Sequence, residues 1–288
     1  GTLILDKRPA RVRPAVYPPL SVLIAAYNEA DAIADTLKSL AAQDYPGRFE
    51  VLVLNDCSTD GTAGIVRTAL DATRFPPLAS ARLLDFAPNA GKAAVLNRGL
   101  AAARHDLIVT LDADSFLHPD ALSHITERLL SDPLGTQAVA GAVMVRNGRD
   151  TFLTASQEWD YFHGIASVKR MQSMFHGTLV AQGAFSIYRR EALEEVGGWP
   201  ACVGEDIVVS WAILKRGDRI GYAEDAICFT NAPTRLAQFA GQRRRWSRGL
   251  IEAFRAHGSL LLERRLSTIF IWWNLCFPPM DLVYTLVF

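Results

Sequence analysis

Apolar runs of strand length that alternate with helix-period segments restrict the fold of this 288-residue chain more than any other feature. The runs are LSVLIAAY (20–27), FEVLVLND (49–56), ARLLDFA (81–87) and DLIVTLDAD (106–114). A continuous apolar run suits a strand covered on both faces, as in parallel sheets. Between the first two, EADAIADTLKSLAAQ (29–43) places Ile33, Leu37, Leu40 and Ala41 on one helical face. TDGTAGIVRTAL (59–70) and NAGKAAVLNRGLAAARH (89–105) continue the alternation. Such a pattern predicts βαβ units, an α/β fold with a parallel sheet, and functional loops at the carboxyl ends of the strands.

Polar residues collect at those ends three times: Asn28 and Glu29, Asn55 and Asp56, Asp112 and Asp114. Asp and Asn favour turns and helix N-caps, which accounts for Asp60 and Asn89 and extends to Asp120. It accounts less well for the Asp112-Ala113-Asp114 triplet, because two close like charges repel unless a cation or hydrogen-bond donors offset them. Oxygen ligands of this kind suit Mg²⁺ or Mn²⁺, which commonly bridges a carboxylate and a diphosphate.

After residue 135 the alternation loosens. The segment 136–147 reads as a strand, 152–175 as a long helix, and 183–199 as a strand, a short helix and a turn. A helix over 204–217 opens on Glu205 and Asp206, 219–230 reads as short strands, and 234–254 as a basic amphipathic helix. This half is expected to elaborate the sheet edge instead of forming a separate domain. The apolar stretch LSTIFIWWNLCFPPMDLVYTLVF (266–288) holds one acid, Asp281. Pro278 and Pro279 argue against one straight span. An interfacial helix carrying Trp272 and Trp273, then the start of a span, is expected, with Arg264 and Arg265 marking the cytoplasmic side.

Thirty basic and thirty acidic residues cancel, so a polyelectrolyte partner is not implied. Cys57, Cys202, Cys228 and Cys276 form no CxxC pair, which argues against a disulfide framework or a zinc site. The chain begins at Gly1 without a signal pattern and reads as a piece of something longer. Glu205 and Asp206 in a first helical turn satisfy the macrodipole, and Asp206 could equally serve as a general base. In GQRRRWSRG (241–249), Gln242, Arg245 and Trp246 share a face, where Arg245 could bind a diphosphate and Trp246 a sugar face. The arginines lack interleaved aromatics, so nucleic acid is not expected as a partner. Lys92 sits near a strand end without the full P-loop pattern.

In order along the chain, Y-N-E, N-D-x-S-T-D, G-K, D-A-D, G-E-D and Q-x-x-R-W resemble the family 2 glycosyltransferases, specifically the processive membrane synthases of cellulose, hyaluronan, chitin oligosaccharide and poly-N-acetylglucosamine. The likeness covers roughly residues 20–255. It implies a GT-A fold, a Rossmann-like sheet with an acceptor-side helical extension and a membrane-associated C-terminal segment. It divides the chain into an N-terminal extension (1–19), a transferase domain (20–134 for the nucleotide, 135–255 for the acceptor) and an interfacial or transmembrane segment (256–288). By the same likeness Ala26, Tyr27, Glu29, Asp56, Lys92 and Asp112 bind the nucleotide-sugar. Asp114, with Asp112, holds Mg²⁺ or Mn²⁺. Asp206 is the base with Glu205 beside it. Gln242, Arg245, Trp246, Gln182 and Gly183 bind diphosphate and acceptor. Many such synthases carry T-E-D where this chain has Gly204-Glu205-Asp206; both acids remain.

The reaction expected is inverting transfer from a UDP-sugar to a growing polysaccharide at the inner, plasma membrane, with the active site on the cytoplasmic side and export-complex subunits as further partners. The segment 152–175 and the stretch after it look most similar to the poly-N-acetylglucosamine and chitin-oligosaccharide synthases, a resemblance that implies UDP-N-acetylglucosamine over UDP-glucose. The competing readings are a non-processive transferase to a lipid or protein acceptor, and a catalytically silent binding module of a secretion complex.

Overall fold

The computed structural model describes residues 8–175 and 177–287, with side chains through Cys276 except that of Phe175. Residues 1–7 of the expected N-terminal extension, Phe288, and the side chain of Asp281 lie outside the described residues. In chain order the first half comprises β1 (Leu20–Ala26), α1 (Ile33–Ala41), β2 (Phe49–Asp56), α2 (Thr62–Ala72), β3 (Ala79–Phe86), α3 (Lys92–Ala102), β4 (Leu107–Asp112), β5 (Ser115–Leu117) and α4 (Ala121–Ser131). The second half comprises β6 (Thr136–Val145), α5 (Phe152–Asp160), a π-helical turn (Tyr161–Ala166), α6 (Ser167–Phe175), β7 (Phe185–Arg189), α7 (Arg190–Glu195), α8 (Glu205–Lys215), β8 (Arg219–Thr230), α9 (Leu236–His257) and α10 (Leu266–Val287).

All eight strands form one sheet in the order β3-β2-β1-β4-β7-β6-β8-β5. The parallel arrangement expected from the alternation holds for β3, β2, β1 and β4. Beyond β4 the sheet becomes mixed: β7 runs antiparallel to both β4 and β6, β6 pairs parallel with β8, and β5 closes the far edge antiparallel to β8. The second half therefore extends the first half's sheet, as expected.

Burial explains the continuous apolar runs. Every residue of β2 is buried, and Val22, Ile24, Val51 and Val53 are fully so. Each such side chain contributes about 2 kcal/mol by leaving water. Leu20, Val22 and Ile24 point into the layer packed by Ile33, Leu37 and Leu40 of α1, while Leu23, Leu52 and Leu54 point into the opposite layer with Val95 and Leu96 of α3.

Register levels the strand ends. Ala25 stands opposite Asp112, and Ala26 opposite Asn55, so the polar residues that follow each strand share one edge. Because β7 is antiparallel to β4, with Leu111 opposite Phe185, the loop leading into β7 arrives at that same edge.

Several local expectations are corrected. The segment 152–175 is two α-helices joined by the π-helical turn, not one uniform helix. The segment 219–230 is one twelve-residue strand, whose pairing with β6 shifts register between Gly141 and Ala142. Asp120 makes no side-chain cap on α4; its carboxylate instead meets His118 Nδ1 at 2.6 Å. The helical backbone of α10 continues through positions 278 and 279. Among the described residues no helix is long and apolar enough to cross a membrane.

Candidate active site

Three loops are tied together at the carboxyl edge of the parallel strands. After β1, Asn28 adopts a left-handed conformation with φ of 58° and accepts the Thr59 amide at 2.8 Å. The Glu29 amide donates to Thr62 Oγ1 at 2.9 Å, and the Ala30 amide to Asp60 Oδ2 at 3.1 Å. Asp56, at the end of β2, accepts the Ala90 and Gly91 amides at 2.8 Å each. Its carboxylate thereby fixes the loop that feeds α3, whose first residue is Lys92.

A cleft of about 260 Å³ opens along this edge, lined by Ala26, Tyr27, Glu29, Asp56, Lys92, Asp112 and Asp114. Every residue that the sequence assigned to nucleotide or cation thus faces one space. A larger groove lined by Phe116, Arg146 and Phe229 contains none of these residues. Carboxylates crowd the cleft. Burial, then Asp114 and Asp112, push Glu29 up to about 7. Burial, then Asp112, push Asp114 up to about 6. Two carboxyls that resist ionisation beside a third mark a place where positive charge is in deficit.

The nearest cation is Lys92. Its Nζ lies 2.6 Å from Asp112 Oδ1 and 3.4 Å from Glu205 Oε1. Burial works against its charge, yet Asp112 and Glu205 outweigh burial and raise its pKa. Glu205 is 7% exposed, and burial raises its pKa against the pull of Lys92. Beside it Asp206 accepts the Gly183 amide at 3.0 Å and the Ile207 amide at 2.8 Å. A Cβ on Gly183 would stand 2.8 Å from Lys92 Nζ and 3.7 Å from Asp206 Oδ2, so a larger residue there would displace the end of the lysine. Asp112 at the end of β4 and Glu205 opening α8, 93 positions apart, therefore meet at one lysine, with Asp206 next to Glu205.

The remaining expected residues are placed unequally. Gln182 donates to the Gly141 carbonyl at 2.8 Å, anchoring the loop to β6. On α9, Gln242 is half-buried and its Oε1 has no hydrogen-bond partner among the described residues. Arg245 is exposed, and Trp246 is 42% exposed with its ring 6.1 Å from that of Tyr161. No hydrogen bond or ion pair joins Gln242, Arg245 or Trp246 to the carboxylate cluster among the described residues.

Sequence reasoning missed the residues that bridge the two groups. Tyr161, buried and pushed up to about 12 by burial, lies within the electrostatic reach of Asp160, Asp114 and Asp112. Arg243 pairs with Asp160 at 2.7 Å and lies over the Phe239 and Trp246 rings at 4.8 and 4.4 Å. The spacing of Phe239, Arg243 and Trp246 on one helix was a signal for this stack. Lys169 is 8% exposed, donates to the Val180 carbonyl at 2.5 Å, and is pulled down to about 8 by burial, with Asp206 opposing. Nothing in the sequence separates it from a solvated lysine.

Comparison with known proteins identifies the family. The family model described as "Glycosyltransferase like family 2" matches residues 18–249. Poly-beta-1,6-N-acetyl-D-glucosamine synthase of Staphylococcus aureus is 34% identical over 232 residues, covering 80% of this chain and 54% of that protein. The enzyme of the same name from Staphylococcus epidermidis is 33% identical over the same length. The chain spans about half the length of the curated relatives it matches. Among solved structures, a mannosyltransferase from Pyrobaculum calidifontis in complex with GDP-Man and Mn²⁺ superposes with a TM-score of 0.70 at 27% identity, over 88% of this chain and 70% of that one. Staphylococcus aureus TarS 1–349 in complex with UDP-GlcNAc gives 0.55 at 19% identity, over 89% and 79% respectively, and shares the fold. With a family match over most of its length and the GT-A sheet beneath it, this chain belongs to the family 2 glycosyltransferases.

Proposed function

We propose that the protein transfers a sugar, N-acetylglucosamine by preference, from a UDP-sugar to the end of a growing polysaccharide with inversion at the anomeric carbon. One observation carries this reading: Lys92 joins Asp112 of the donor cleft to Glu205, whose neighbour Asp206 opens α8. The name of the 34%-identical relatives supports the polymer and the sugar.

In this reading Ala26, Tyr27, Glu29 and Asp56 bound the nucleotide, and Arg245, exposed and without an ion-pair partner among the described residues, takes the diphosphate. Asp206 accepts the proton of the acceptor hydroxyl, whose oxygen attacks the anomeric carbon as the bond to the diphosphate breaks and UDP departs. Attack from the face opposite the nucleotide makes a β-link from an α-linked donor. Trp246, 42% exposed, offers a stacking face to the glycan, while the Oε1 of Gln242 is buried beside it on the same helix.

Among the described residues no three His, Cys, Asp or Glu side chains are grouped to hold a metal by themselves. Asp112 and Asp114 nonetheless fit a Mg²⁺ or Mn²⁺ that takes its other ligands from phosphate and water, because the charge deficit around them needs a hard cation. Such an ion supplies positive charge to the departing diphosphate. The Mn²⁺ of the Pyrobaculum complex supports this assignment. Leu266, Ile269 and Trp273 follow helical spacing on α10 and are all more than half exposed, which supports contact of 256–288 with the cytoplasmic face of a membrane. Residues 20–134 then serve the donor and 135–255 the acceptor.

The test offers a panel of UDP-sugars to membranes holding the full-length protein. The expected result is fastest UDP release from UDP-N-acetylglucosamine, with a β-linked polymer formed. Release with only single-sugar addition to a lipid would replace the polymerase by a non-processive transferase. No release from any donor would make the chain a binding module.

A further inference from the structure

The helix that bears Gln242, Arg245 and Trp246 also carries Gly249 and Glu252 farther along the same stripe, at spacings of four and seven residues from Arg245. Glu252 Oε2 accepts the Val203 amide at 2.9 Å and the Gly204 amide at 3.2 Å. Its other oxygen accepts Arg248 Nε at 2.9 Å. Those two amides belong to the residues just before Glu205 and Asp206, where α8 has no side-chain cap of its own. Backbone meets backbone at the same point. A Cβ on Gly204 would stand 2.3 Å from Gly249 Cα, and a Cβ on Gly249 would stand 2.8 Å from Gly204 Cα. Farther along both helices, Trp211 of α8 packs edge-on against Phe254 of α9, with ring centroids 4.9 Å apart.

We infer that Glu252 is a positioning residue: by taking the two amides that precede the acidic pair, it sets the spacing between Asp206 on α8 and the Arg245–Trp246 face on α9. The role rests on the reading of Asp206 as the base. Glu252 touches neither donor nor acceptor in that reading and acts only through the start of α8. Two glycines in contact allow the helices to approach; the carboxylate then fixes their relative rotation. A glutamine at 252 keeps an oxygen that accepts both amides, while Arg248, two-thirds exposed, is free to turn into solvent.

The test measures UDP release and UDP binding by the full-length protein in membranes for wild type, Glu252→Ala, Glu252→Gln and Asp206→Asn. The expected result is that Glu252→Ala lowers kcat at least tenfold with UDP affinity within twofold of wild type, and that Glu252→Gln recovers kcat to within about threefold. Gly249→Ala, which forces the same two helices apart, is expected to lower kcat with UDP affinity likewise kept. Wild-type kcat in Glu252→Ala overturns the inference. So does a glutamine variant as slow as the alanine one, or a parallel loss of UDP affinity, which would mark Glu252 as a general support of the fold. If Asp206→Asn turns over at the wild-type rate, the base assignment fails and takes the positioning role with it. If Asp206→Asn is silent while Glu252→Ala is fully active, only the positioning role falls.

Discussion

The two halves of the molecule build their share of the site in opposite ways. In the donor half, β1, β2 and β4 end level, and the residues just past each strand fall into one cleft by register alone. In the acceptor half, no strand end supplies a functional side chain. Asp206 sits on a helix start, Gly183 on the loop before an antiparallel strand, and the proposed Arg245 and Trp246 on a helix, α9, that packs on α8. Charge divides the same way. The donor half crowds Glu29, Asp112 and Asp114 together with Lys92 between them and Glu205, while the acceptor half leaves Arg244 and Arg245 exposed and without ion pairs among the described residues. One side lacks positive charge and the other holds it in reserve, which is the arrangement a diphosphate with its cation would complete.

Removing charge from each side should separate the two. Asp114→Ala is expected to have the larger effect. UDP affinity should fall by roughly ten- to a hundredfold, if losing a ligand weakens binding at least as much as changing the partners around a metal site does, and added chelator should then change nothing. A variant that still responds to chelator places the cation elsewhere. Arg245→Ala comes next. An exposed arginine with no protein partner contributes little to stability, so the melting temperature should not move. Loss of one charge-assisted contact, about 1.5–3 kcal/mol, should lower kcat/KM for the donor by roughly ten- to a hundredfold. A drop in melting temperature without a change in kcat/KM would reassign Arg245 to the scaffold.

The smallest effect is in the pH dependence of stability. Glu29 and Asp114 titrate at about 7 and about 6 when folded, above their unfolded values. Between those limits the folded state binds more protons than the unfolded one, so stability falls as pH rises from about 4 to about 7. Metal-free protein should therefore melt at a lower temperature at pH 7 than at pH 5, as far as these groups are concerned. Saturating Mn²⁺ should shrink the difference, and Glu29→Gln should shrink it without metal. An identical slope in wild type and Glu29→Gln would show that the carboxyl crowding is relieved in solution.

The contrast between the halves also explains what the sequence revealed. The strand-end residues were legible because a buried strand needs apolar side chains throughout, so Asp112 and Asp114 after Leu107–Leu111 stand out against their neighbours. Asp206 and Arg245 were legible only as parts of an ordered set of short motifs, since an acid opening a helix and an arginine on a basic helix each have ordinary explanations. Tyr161 and Lys169 were not legible, and Arg243 was legible only as a partner of the rings on its own helix, not of Asp160. Arg243 finds Asp160 across 83 positions, and Lys169 is buried with its ammonium on the Val180 carbonyl. The mixed half of the sheet escaped for the same reason: antiparallel pairing of β7 with β4 and β6 is a long-range choice that local periodicity does not encode. The division of the chain at 134 and 255 stands as part of the proposal.

The central claim is that acids from both halves face one another across a bound sugar-nucleotide, with Asp206 taking the proton. Asp206→Asn, assayed side by side for UDP binding and for UDP release from UDP-N-acetylglucosamine, tests it most directly. The account predicts UDP affinity within about twofold of wild type and a turnover reduced by roughly 10²–10⁴, the usual span for a lost general base. Turnover near the wild-type rate, or binding lost together with turnover, would contradict it.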